Sequence, residues 1–166
     1  MKYRLTKKYI INSWEVKLFQ IQATASFGVV IKGELGGYIE SEKNLAQVSG
    51  NAWVSGNAQV SGDAWVSGDA QVYGDAWVYG NALVYGYALV SGNAQVSGNA
   101  WVSGDAQVYG NAQVSGDAQV YGMVELSFGF FFGFKSKADK LSYIDIGDNQ
   151  LIAKGKIKYE NKIEFY

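Results

Sequence analysis

Five aspartates, Asp63, Asp69, Asp75, Asp105 and Asp117, occupy one position of a repeating six-residue unit, each directly after a glycine. If three units make one coil, Asp69 and Asp105 share a column at about 9 to 10 Å, a separation compatible with an inverting glycosidase. Tyr87 stands between them, so the column reads better as turn residues. The same scatter gives no cluster of oxygens for calcium. Serines are frequent, but the chain has no His and no Cys. A serine nucleophile would lack its imidazole base, and the usual zinc ligand sets cannot be assembled. The glycines follow the six-residue period rather than a phosphate-binding pattern. The expectation is a protein that is not an enzyme, with no catalytic residues, no cofactor and no metal.

The elements that must position these residues are legible from Ala46 to Gly122. There the unit is Gly-Asn/Asp-Ala-Trp/Gln-Val-Ser/Tyr, and its valines recur every six residues from Val48 to Val120. Strand alternation sends Ala and Val to one side and Trp or Gln and Ser or Tyr to the other. The small pair suits a narrow interior, while Gly followed by Asn or Asp suits corners that need a positive φ. A six-residue period matches a parallel β-helix. An antiparallel meander turning at each Gly-Asn is the alternative, but strands so short would leave one sheet face without a core.

Side chains eighteen residues apart then stack. One face presents Gln47, Trp65, Leu83, Trp101 and Gln119, beside Ser49, Ser67, Tyr85, Ser103 and Tyr121. Only this face places Trp, Leu and Trp in consecutive coils. Contiguous apolar and aromatic surface with few charges is how protein contacts are built, so Trp65, Leu83, Trp101, Tyr85 and Tyr121 form the candidate interface. Threonine occurs only at Thr6 and Thr24, which excludes a threonine ladder of the ice-binding kind.

The order Val-x-Gly-Asn-Ala-x resembles the hexapeptide motif of left-handed parallel β-helices, the fold of many acyltransferases. The resemblance implies a left-handed, triangular coil of three hexads. Those acyltransferases use a His as base, and this chain has none, so the likeness implies the fold without the reaction. Lys2-Tyr3-Arg4-Leu5-Thr6 and Leu35-Gly36-Gly37-Tyr38-Ile39-Glu40 also resemble hexapeptide-repeat proteins carried by phages and prophages.

The expected fold is all-β: a single-stranded parallel β-helix with β-rich N- and C-terminal caps. Residues 1–44 read as the N-terminal cap and 45–127 as the shaft. Residues 128–166 read as an aromatic plug, from Phe128 to Phe134, followed by a hairpin cap with strands around Gly147-Asp148-Asn149 and around Glu160-Asn161. The net charge of −1 gives no global field for nucleic acid or membrane. It is unevenly spread: residues 1–44 carry seven Lys and Arg against four Glu, and residues 45–122 carry five Asp and no base. The basic start passes from Tyr9-Ile10-Ile11 into Asn12-Ser13 before a secretory leader can form, so a cytoplasmic location is expected. Function is expected to be that of a non-enzymatic scaffold binding a protein partner or itself, as a dimer or trimer. A phage-encoded inhibitor of a host protein is one version. Carbohydrate binding through the Trp, Tyr and Gln ladders is the alternative.

Overall fold

The computed structural model describes residues 1–132 in full and, beyond them, the backbone of two paired antiparallel strands, Ser142–Asp145 and Leu151–Lys154. Strands β1 (Tyr3–Ile11), β2 (Lys17–Ala23) and β3 (Leu35–Ile39) lead into a 3-10 turn at Glu42–Asn44. A parallel β-helix follows, its rungs strands of two or three residues from Trp53–Val54 to Phe130–Phe132.

Rungs eighteen residues apart pair in parallel, as Trp65 with Leu83 and Leu83 with Trp101. Three sheets result, each one side of the coil. One holds the rungs of Trp65, Leu83, Trp101 and Gln119, and a second those of Trp53, Gln71, Leu89, Gln107 and Glu125. The third continues β1, β2 and β3 into the rungs of Gln59, Trp77, Gln95, Gln113 and Phe130. Every Ala and Val of the repeat from Ala52 to Val120 is fully buried, which forms one continuous core.

The corners are held by backbone and amide ladders. Corner glycines from Gly50 to Gly122 have φ between +60° and +75°, a region that costs residues with a Cβ. Beside them Asn51 donates to Asp69 at 2.7 Å and Asn99 to Asp117 at 3.0 Å. An amide under a carboxylate gives each column a donor and an acceptor, and no aspartate has to face another.

The ladder has a direction. Each coil donates N–H groups to carbonyls of the next, as Trp65 to Ala82 at 2.9 Å and Ser67 to Val84 at 2.9 Å. The first coil therefore presents unpaired carbonyls, and a cap there must supply donors. It does so with Tyr38 N–H to Ala58, Glu40 N–H to Val60 and Ala46 N–H to Val66. The buried Asn44 adds its amide, which donates at 2.9 Å to the carbonyls of both Gly62 and Ala64.

Three expectations are corrected. Val48 is not a rung but is 94% exposed, and Leu45 instead pairs with Val66 in the interior. The parallel run is already entered by β3, with Ile39 opposite Val60. Leu45 lies one hexad after Ile39, so the register of the cap displaces Ala46-Gln47-Val48 into the corner. Gln47 consequently leaves the Trp65 column, accepting from the Lys2 N–H at 3.0 Å and donating to the Tyr3 carbonyl at 3.1 Å.

The serines do not all face water: Ser61, Ser67, Ser91 and Ser103 are buried. Each has a tyrosine one coil away in its column, a ring large enough to cover a hydroxymethyl group. The aromatic run also divides. Phe131 lies opposite Val114 and packs on the core, whereas Phe130 and Phe132 are each 68% exposed. Gln113 pairs with Phe130, one residue short of the repeat, and a one-residue slip turns every side chain to the other face. Phe134 and the strands expected around Glu160-Asn161 lie outside the described residues.

Tyr3 fastens the cap. It is fully buried, and its one hydroxyl proton is shared between the Leu45 carbonyl at 2.7 Å and the Glu42 carbonyl at 3.1 Å. Burial, then the Glu42 charge, pushes its phenol well above the ordinary value. A raised phenol pKa contributes stability that is fully present below about pH 10 and declines as pH rises through the folded value. Tyr3→Phe is therefore expected to flatten the alkaline limb of stability against pH. Urea melts at pH 8 and above pH 10 check this, and an unchanged limb would exclude Tyr3 as its source.

Candidate binding face

The three sides of the coil differ in what covers them. On the Trp53 side, the indole is buried, with Phe27 edge-on at 5.6 Å and Tyr3 at 6.4 Å. Gly36 permits this, because a Cβ there would lie 2.7 Å from the Trp53 ring and 2.6 Å from the Val54 carbonyl. On the Trp77 side, the cover is the β1–β2 hairpin tip, whose Trp14 ring lies 5.1 Å from Trp77 and 4.6 Å from Tyr79. That tip is built by Asn12, whose side-chain oxygen accepts from the N–H groups of Trp14 and Val16 at 3.0 Å. Glu15 completes it at φ +61°, a place that glycine usually takes in such loops.

The remaining side carries Trp65, Leu83 and Trp101 in adjacent rungs. Trp65 is 46% exposed and Trp101 42%, with Leu83 half-buried between them. Tyr85 is exposed at the edge of the strip and Tyr121 is half-buried. All five candidate interface residues thus lie on one side, and the column ends on Gln119 opposite Trp101. Tyr87, which interrupts the Asp69–Asp105 column, is 64% exposed at the corner beside Leu83 and extends the aromatic surface. Tyr stands there where every neighbouring unit has Asn or Asp.

The polar surroundings are acidic. Asp63 and Asp69 lie at the two corners that flank the Trp65 rung, and Asp105 at the corner after the Trp101 rung. Lys43 donates to Asp63 at 2.7 Å and, through that hydrogen bond and its charge, holds the exposed carboxyl below the usual range. No group of three or more carboxylates, His or Cys suited to a metal occurs among the described residues.

A stacked, capped coil of six-residue units is a repeat β-helix. The chain is similar to the YdcK Beta solenoid repeat family. The matches cover residues 46–62, 58–74, 70–86, 76–92, 94–110 and 106–122. No curated protein matches the sequence. The solenoid repeat accounts for the core and corners, whereas the Trp65 strip arises from positions the repeat leaves open to Trp, Gln or Leu. Among the described residues no helix is long and apolar enough to cross a membrane.

Proposed function

We propose that this chain is a non-enzymatic scaffold whose rigid coil holds the Trp65–Leu83–Trp101 strip against another protein chain. The observation that carries this is the contrast among tryptophans. The cap buries Trp53 and overlays Trp77, yet Trp65 and Trp101 stay nearly half open. The absence of His and Cys supports a binding rather than a catalytic role. The likeness of the opening and entry segments to phage-carried proteins supports a cytoplasmic setting in which the chain engages, and inhibits, a host protein.

The strip sets the scale of the contact. The open parts of two indoles amount to about 200 Å², worth about 5 kcal/mol at ~25 cal/mol per Å². Association itself costs about 4 to 15 kcal/mol. The rings anchor a partner, and the rim must hold it.

Trp65→Gln/Trp101→Gln tests the reading with little risk to folding, because Gln119 occupies the same column. Light scattering is expected to show an assembly that falls to a folded monomer, or pull-downs a protein held by the wild type and lost from the variant. A monomeric wild type with the same captured proteins as the variant would refute the reading.

A further inference from the structure

We infer that the partner segment is extended and cationic, laying Arg or Lys side chains over Trp65 and Trp101 with their charges toward the aspartates along both edges. This rests on the reading of the strip as a binding face and adds the chemistry of what it binds. Asp63 and Asp117 share the corner column on one edge, and Asp69 and Asp105 the column on the other. Only Asp75 lies on the third corner, away from the strip. From residue 45 to residue 122 there is no Lys or Arg to offset them. The cap reaches only the first coil, with Lys43 on Asp63 and with Lys2, seated on the Ser49 and Gly50 carbonyls, near Asp69, so that Asp105 and Asp117 are the pair left to a partner.

Asp69 and Asp117 are also held in place. Asp69 Oδ1 accepts from the Asn51 N–H at 3.1 Å and its amide at 2.7 Å, and Asp117 Oδ1 accepts from Asn99 at 3.0 Å. Each of these two carboxylates is oriented through one oxygen while the other can accept from a ligand. A guanidinium meets both features at once, since it stacks on an indole face and forks to a carboxylate. Two copies joined strip to strip would bring aspartates toward aspartates. Charge complementarity therefore selects a basic partner over a second copy.

The test uses the full chain and a fluorescein-labelled oligoarginine of about ten residues, read by anisotropy near 0.15 M salt. Asp105→Asn/Asp117→Asn keeps the fold within the repeat's own vocabulary, since Asn99 and Asn111 occupy equivalent corners. Both this variant and Trp65→Gln/Trp101→Gln are expected to weaken binding by about tenfold or more, while Asp75→Asn changes it by less than about twofold. An equal loss for Asp75→Asn would mean a diffuse acidic field and overturn the inference. So would the absence of binding, indifference to the tryptophans, or a wild type already self-associated through the strip. A wild type that captures a protein through its tryptophans yet ignores oligoarginine overturns the cationic partner and leaves the binding reading in place.

Discussion

Gly86→Ala is expected to destabilise the coil by about 3 kcal/mol, combining ~1 to 2 for a side chain in the left-handed region with ~1 to 3 for overlap. Gly86 has φ +71°, and a Cβ there would lie 2.9 Å from the Gly104 nitrogen and 3.2 Å from its carbonyl oxygen. Both neighbours are backbone atoms of the next coil, so relief requires moving a rung. Gly33→Ala is the matched control. Its φ is +93°, but a Cβ there would meet nothing within 4 Å. Denaturant midpoints should therefore fall much further for Gly86→Ala. Equal shifts would show that conformation alone fixes the corner glycines and that close stacking adds nothing. Because a coil touches only its neighbours, the lesion also weakens coupling between the two halves of the shaft.

The same corner explains why the shaft was readable. A position that must be Gly, flanked by small buried Ala and Val, leaves few alternatives, and the register from Trp53 to Leu126 follows the hexad. The ends were less legible because there the register is set by the cap. Ala46-Gln47-Val48 satisfies the motif as well as any later unit. What excludes it is Leu45, placed six residues after Ile39 by the entry of β3. At the far end Phe128 stands where a corner Gly is due and Gly129 follows one place late, at φ +102°. The next rung slips by one residue, and Phe131 rather than Phe132 turns inward.

The candidate face was legible as a column but not as a surface. Spacing alone places Trp65, Leu83 and Trp101 in consecutive rungs. It cannot distinguish them from Trp53 and Trp77, which occupy the same place in their units. The distinction comes from Trp14, Phe27 and Tyr3, which are remote in sequence and reach the other two sides through hairpin geometry. Spacing likewise hid Lys43, whose partner Asp63 lies twenty residues on.

The second large effect is expected at Asn44, where the cap meets the first unpaired carbonyls. Asn44 is fully buried; its oxygen accepts from the Ser41 N–H at 2.9 Å while its amide serves Gly62 and Ala64. Asn44→Ala strands both carbonyls, at about 1 to 3 kcal/mol each. A cost in that range fits a residue that closes the ladder, whereas a loose loop would lose little. Asn44→Asp is the sharper probe, because it keeps the shape and replaces the donor with a carboxylate facing two carbonyl oxygens. Burial and those oxygens would raise the folded pKa of the new carboxyl above its unfolded value of about 3.9. The stability it contributes is then fully present below that value and lost as pH rises through the folded pKa. Relative to the wild type, Asn44→Asp should thus be most damaging at neutral pH and recover toward pH 4, as the protonated carboxyl regains one donor. Asn44→Ala should show no such recovery. Urea melts of all three proteins at both pH values decide the matter: an Asp variant as stable as the wild type at neutral pH would remove Asn44 as the donor that caps the coil.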